Sequence, residues 1–192
     1  MQANKPEQII DYINNQLNAV AYPLIIAIDG RSGAGKSTLA TILSQHLDAL
    51  IIKGDDFYNG STGLKTEPPS QLAEICIDWQ AQKEVLLSLR ASSHASYFPF
   101  NWDAFDGSKK GEKTIKSQPI ILLEGVYSAR PELSNFVDII IFVDSPKDIC
   151  HSQLLKREGK ISEWELQWHR AEDWYFKNTA PIENFDIIYL ND

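Results

Sequence analysis

Cysteine, basic charge and long apolar runs are what this chain has little of. Its 192 residues include only two cysteines, Cys76 and Cys150. Two thiols build no disulfide framework and their spacing suits no metal site, so both are expected to be reduced core residues. Lys and Arg number 18 against 26 Asp and Glu, a net charge of −8. That balance argues against nucleic-acid partners and against binding to an anionic membrane surface. Any phosphate this chain binds must be held by local geometry. No apolar run approaches the roughly 20 residues that span a bilayer. Residues 1–21 contain one Lys and lack the apolar segment of a secretory signal. Together these absences point to a cytoplasmic protein. The four histidines form no cluster, so no metal or acid–base role is assigned to them. Hydrophobic residues at 43% and charged residues at 23% are ordinary for a folded domain. No repeat or linker divides the chain, and residues 1–192 are read as one domain.

The periodicity alternates between strand and helix. Ile9, Ile10, Ile13 and Leu17 recur at helical spacing, which predicts an N-terminal helix within 1–21. Leu24-Ile25-Ile26-Ala27-Ile28 is a short apolar run suited to a strand buried on both faces. Four more such runs follow at 50–52, 120–123, 137–143 and 187–190, which gives five strands. Helical periodicity fills the intervals, with Leu39, Ile42, Leu43 and Leu47 in one and residues 78–89 in another. Ser145-Pro146 predicts a helix start with Ser as the cap, and Ser162-x-x-Glu165 predicts a capping box for a helix running to about Phe176. Strands alternating with helices imply an α/β fold with a mostly parallel sheet. Segments 59–70 and 92–117, rich in Gly, Pro, Ser and Lys, read as surface loops, and Lys109, Lys110, Lys113 and Lys116 as solvated. Trp164, Trp168, Ala171 and Tyr175 share one helical face and read as a core stripe.

Gly30-Arg31-Ser32-Gly33-Ala34-Gly35-Lys36-Ser37 matches G-x-x-x-x-G-K-[ST], directly after the first strand and opening a helix. In this motif backbone N–H groups turn inward to cradle phosphates, and the helix N-terminus adds partial positive charge. Lys36 is the point charge for the outer phosphates, Ser37 a hydroxyl ligand for Mg²⁺, and Thr38 closes the cradle. The motif implies a P-loop NTPase with three αβα layers. Asp55-Asp56-Phe57-Tyr58 follows the second strand, where ligands of open α/β sheets lie. An Asp there can take a proton from an attacking hydroxyl, or serve merely as a helix cap. Glu124-Gly125 ends the third strand, where a carboxylate can hold Mg²⁺ or be a plain turn residue. Arginine is scarce, at five residues. Lys156-Arg157-Glu158-Gly159-Lys160 is the best candidate for a small closing lid over 156–162, with a charged interhelical turn as the competing reading.

These three motifs, in this order, resemble the uridine kinase and phosphoribulokinase group of P-loop kinases. The resemblance covers about residues 22–190. It extends to Asp78-Trp79, to Arg130-Pro131-Glu132-Leu133, and to Glu172 before Tyr175-Phe176, as in short bacterial chains called uridine kinase-like. It implies ATP and Mg²⁺ as cofactors, Asp55 as general base near the metal, and Ser37 and Glu124 as the other metal-side groups. Segment 56–117 becomes an acceptor-binding insertion. Tyr58, Asp78, Trp102 and Arg130 then fall on the substrate side, Asp78 on the ribose hydroxyls, with Phe100 near the nucleoside pocket. Two departures stand out. Segment Phe98-Pro99-Phe100-Asn101-Trp102-Asp103 is not followed by the His that reads the pyrimidine. Gln153 and Leu154 stand where uridine kinases carry two arginines. The expected activity is ATP-dependent phosphorylation of a small-molecule hydroxyl, that of a nucleoside. The alternatives are a non-nucleoside alcohol or vitamin as acceptor, or a nucleotide-dependent switch. The guanine-reading Asn-Lys-x-Asp of a GTPase switch is absent. Monomer and homo-oligomer are equally compatible with the sequence.

Overall fold

The computed structural model describes residues 1–17 and 23–191. In chain order the elements are β1 (Gln2–Ala3), α1 (Pro6–Gln16), β2 (Leu24–Asp29), α2 (Lys36–Leu47), β3 (Leu50–Lys53), α3 (Pro69–Ile75), α4 (Trp79–Ala91), β4 (His94–Tyr97), β5 (Lys113–Lys116), β6 (Ile120–Glu124), β7 (Ile139–Asp144), α5 (Lys147–Glu158), α6 (Glu163–Asn178) and β8 (Ile187–Leu190). The main sheet has six strands in the order β1-β8-β7-β2-β6-β3, all paired in parallel. The apolar runs predict five of these. The sixth, β1, is two residues long and pairs only with β8, too short to leave a pattern in the sequence.

Strand β2 lies at the centre and every one of its residues is buried. Alternate side chains go to opposite faces, as the strand repeat requires. Leu24, Ile26 and Ile28 pack with Ile9, Ile13, Leu39, Leu43 and Cys150 on one face. Ile25 packs with Leu72, Leu86, Trp168 and Tyr175 on the other. Helices α1, α2 and α5 thus cover one face, and α3, α4 and α6 the other. Cys76 and Cys150 are buried free thiols. No helix among the described residues is long and apolar enough to cross a membrane.

Some expectations shift. The N-terminal helix occupies Pro6–Gln16, and residues 18–21 of the expected segment lie outside the described residues. Helix α5 begins one residue later than expected, with Pro146 at the cap position, and Ser145 is buried with its hydroxyl unpartnered. The Ser162–Glu165 capping box forms and opens α6. Segment 92–117 is not all loop: β4 and β5 make an antiparallel hairpin that tucks Ala95, Tyr97 and Ile115 inward. Lys156, Arg157 and Glu158 belong to the last turn of α5, which ends at Gly159 in the left-handed conformation.

Candidate active site

The loop between β2 and α2 is shaped by its glycines. Gly30 (φ +145°) lies so close to β7 that an added Cβ would sit 2.6 Å from the Val143 carbonyl oxygen. Gly35 (φ +96°) is the left-handed residue that turns the chain into α2. Lys36 is buried, and its ammonium donates to the carbonyls of Gly30 (2.8 Å) and Arg31 (2.9 Å). Two of its three protons are thus used and one remains for a ligand. Parallel pairing sets Glu124 beside Ile28 on one side and Lys53 on the other. The Ser37 hydroxyl lies 3.3 and 3.2 Å from the two Glu124 carboxylate oxygens. Burial, and then the charge of Asp55, raise the Glu124 carboxyl above its ordinary range.

After β3 the chain winds through one 3₁₀ turn, Gly54–Phe57. The turn separates the two aspartates. Asp56 is engaged by the Tyr97 hydroxyl (2.8 Å) and the Lys113 ammonium (3.0 Å). The Asp55 carboxylate has no hydrogen-bond or ion-pair partner among the described residues, while its backbone carbonyl accepts from Trp102 Nε1 at 3.1 Å. Lys113, expected to be a solvated loop residue, is therefore tied into this region.

Two cavities meet here. One, of about 690 Å³, follows the glycine loop and is walled by Ser32, Gly33, Gly35, Lys36, Ser37 and Thr38 with Glu124. The other, of about 940 Å³, is aromatic: Tyr58, Phe100, Trp102, Phe105, Trp164 and Trp168 line it. The buried ring of Tyr58 packs among the other aromatic rings, with centroids 4.9 Å from Phe100 and from Trp102 and 5.8 Å from Trp168. Ser32, Asp55, Val126, Leu154 and Arg157 wall both cavities, so these five residues mark the junction. Arg157 is exposed and paired with Glu158 at 2.6 Å. Trp164 and Trp168, read from the sequence as core, serve the core and the aromatic cavity at once.

Other expected residues lie elsewhere. Gly30, Arg31 and Ala34 line neither cavity. Arg31 pairs with Asp173 and covers the Phe176 ring. Asp78 caps α4 by accepting from the Ala81 amide at 3.0 Å, and lines neither cavity. Arg130 is fully buried, paired with Glu74 (3.0 Å) and Glu132 (2.9 Å) and stacked over Trp79, again away from both cavities.

Three residues at the site carry no assignment from the sequence. Asp29, completely buried, accepts from the amides of Gly30 (2.8 Å), Tyr127 (3.0 Å) and Ala129 (3.0 Å) and from the Tyr175 hydroxyl (3.0 Å). Burial pushes its carboxyl up to about 6 despite these four donors. It fixes the turn after Glu124, in which Tyr127 takes an unusual left-handed φ of 71°. Asn191 donates to the Ala34 carbonyl at 2.8 Å. Glu172 on α6 accepts from the Ser32 amide at 3.0 Å and from the Ser32 hydroxyl. An Asp next to the glycine motif is a local cue for the first. The other two contacts span 157 and 140 positions and leave no local cue.

Comparison with known proteins bears on the family and the fold. The model of the phosphoribulokinase / uridine kinase family matches residues 25–161. A uridine kinase of Haemophilus ducreyi is 29% identical over 147 residues, 70% of this chain and 67% of its own. A pantothenate kinase of Yersinia pestis is 26% identical over 189 residues, 88% of this chain but 59% of its own length. The solved structure of a possible uridine kinase from Bacillus stearothermophilus superposes with a TM-score of 0.70 at 23% identity, covering 95% of this chain and 98% of that one.

Proposed function

The chain belongs to the phosphoribulokinase and uridine kinase family of phosphotransferases with hydroxyl acceptors, and on that footing we propose that it transfers the γ-phosphoryl group of ATP to the 5′-hydroxyl of a nucleoside. The observation that carries this reading is the junction. The cavity along the glycine loop and the aromatic cavity share one wall, and Asp55 and Arg157 stand in it.

In this reading the loop 30–38 holds the triphosphate through the backbone amides of Gly33, Gly35, Lys36, Ser37 and Thr38, which wall the cavity, and Lys36 turns its free proton toward the outer phosphates. The oxygen set of Ser37, Asp55 and Glu124 suits Mg²⁺, a hard cation that prefers oxygen ligands. The Glu124 carboxyl is raised first by burial and then by the charge of Asp55, and a divalent cation held between these oxygens would offset the second of these. Bound Mg²⁺-ATP supplies the transferable group and the charge that offsets its oxygens. Asp55 accepts the proton of the acceptor hydroxyl, and Asp56, already engaged by Tyr97 and Lys113, holds the hairpin in place. Arg157, in a lid over 156–162, swings onto the phosphates as charge redistributes. Within the acceptor insertion at 56–117, Tyr58 and Trp102 stack the base. Asp78 and Arg130 serve the acceptor side indirectly, by fixing α4 and by bracing α3 against the turn at 131–133.

A second reading, an alcohol that carries a carboxylate, is favoured by Lys53 and Lys160 on the wall of the aromatic cavity. One assay separates the two. ATP and Mg²⁺ are supplied with uridine, cytidine or pantothenate, and the phosphorylated product is measured. Transfer to a nucleoside is expected. Transfer to pantothenate alone selects the second reading, and transfer to none of the three contradicts the nucleoside reading.

A further inference from the structure

Helix α6 lines the aromatic cavity along one face and reaches the glycine loop through its later turns. Trp164, Trp168 and Glu172 are spaced at four residues, so their side chains stack in a row. The two indoles line the aromatic cavity. Glu172, next in the row, grips Ser32 by its amide and its hydroxyl. Ser32 is the one residue of 30–38 that walls both cavities. The same helix ties the flanking positions: Asp173 pairs with Arg31 and Tyr175 donates to Asp29. Three links thus connect α6 to residues 29, 31 and 32, while its first turns carry the acceptor wall and hold loop 61–65 through Trp164 Nε1 to Ser61 and Gln167 to Lys65 and Gly63. The cost is visible: a carboxylate stands on a loop built to receive anions, where it repels phosphate. A charge kept there must do something that the repulsion does not cancel.

We infer that Glu172 is a positioning residue that registers the aromatic cavity against the phosphate loop, so that events at one are felt at the other through α6. Its two charge-assisted hydrogen bonds to Ser32 are the link. This inference rests on the nucleotide-site reading above and not on the identity of the acceptor.

The test uses the full chain and the nonhydrolysable nucleotide Mg²⁺-AMPPNP. Affinity is read by calorimetry and tryptophan emission is read on the same samples. In the wild type, filling the loop changes the emission of Trp164 and Trp168. Glu172→Ala is expected to bind the nucleotide within about tenfold of wild type, the scale of one hydrogen bond to a charged group, yet to lose most of the emission change. Glu172→Gln keeps one oxygen for the Ser32 amide and offers an N–H₂ to its hydroxyl, and restores the change. A merely structural role would lower the melting temperature without uncoupling emission from occupancy. If Glu172→Ala does not fold, Ser32→Ala deletes one of the two bonds and no packing, and a reduced emission change is expected. A full emission change in Glu172→Ala or Ser32→Ala, a Gln variant no better than Ala, or a wild type whose emission is unmoved at full occupancy overturns the inference. A wild type that fails to bind Mg²⁺-AMPPNP at all is a different failure, that of the nucleotide site, and takes this inference with it.

Discussion

The two cavities are built in opposite ways. The phosphate side is centred on one contiguous stretch, residues 32–38, set by the β2–α2 turn and by strands β6 and β7 on either side of β2, with Asp55, Glu124 and the end of α5 completing the wall. The aromatic side is assembled from segments more than 40 residues apart: Tyr58, then Phe100, Trp102 and Phe105, then Trp164 and Trp168. Backbone geometry recognises a triphosphate whatever the acceptor, so that part can be local and rigid. Acceptor shape is read by side chains on loops and one helix, where substitution alters selectivity without disturbing the sheet. On the proposed reading, a fixed donor site stands beside an adaptable acceptor site.

Variants can break this comparison from either side. On the phosphate side, Lys36→Ala should lower phosphoryl transfer by about 10³-fold or more, since the lost ammonium faces charge that develops in transfer. Kinetics with Mg²⁺-ATP and circular dichroism check that activity, and not the fold, is lost. At the junction, Arg157→Ala should lower kcat by roughly 10- to 100-fold, less than an isolated arginine finger because Lys156 adjoins it, and leave nucleotide affinity within a few-fold. Wild-type turnover in that variant would move the lid function to another cation. On the aromatic side, Trp102→Ala should raise the acceptor KM by about tenfold, the scale of one stacking contact, with Mg²⁺-ATP affinity unaffected. Trp102→Phe, which keeps a ring but loses the bond to the Asp55 carbonyl, separates stacking from that bond.

A further effect concerns stability. The Asp29 carboxyl is raised by burial from 3.8 to about 6, so the folded state holds its proton more tightly than the unfolded chain. Its contribution is fully present below pH 3.8 and is lost as pH rises through 6. A proton affinity that differs this much between the folded and unfolded chain corresponds to about 3 kcal/mol. Between pH 4 and 7 the wild type should lose about that much more stability than Asp29→Asn, as read by urea unfolding at each pH. Parallel curves would mean that Asp29 titrates normally.

What can be read from the sequence follows the same divide. The apolar runs of β2, β6 and β7 and the glycine loop announce themselves because burial on both faces and tight turns leave dense local patterns. The hairpin β4–β5 is invisible there: its inward residues are only Ala95, Tyr97 and Ile115 among polar neighbours. β1 is too short for any period. Asp78 and Arg130 draw substrate roles from family resemblance, yet in three dimensions one caps a helix and the other is sealed between carboxylates. Helix capping and ion pairing use the same residue types as ligand binding, so residue type alone does not separate them. Glu172 and Asn191 reach the loop only through tertiary contacts, which no local pattern encodes.

The proposed function puts transfer at the shared wall, with Asp55 as the base. The measurement that tests it most directly compares Asp55→Asn with Asp56→Asn, each assayed for Mg²⁺-ATP binding by calorimetry and for phosphoryl transfer. Asp56 is engaged by Tyr97 and Lys113, whereas Asp55 walls both cavities. Asp55→Asn should bind Mg²⁺-ATP nearly as well as wild type and lose transfer by about 10²- to 10⁴-fold, while Asp56→Asn retains most transfer. Full transfer in Asp55→Asn, or loss confined to Asp56→Asn, would contradict the account.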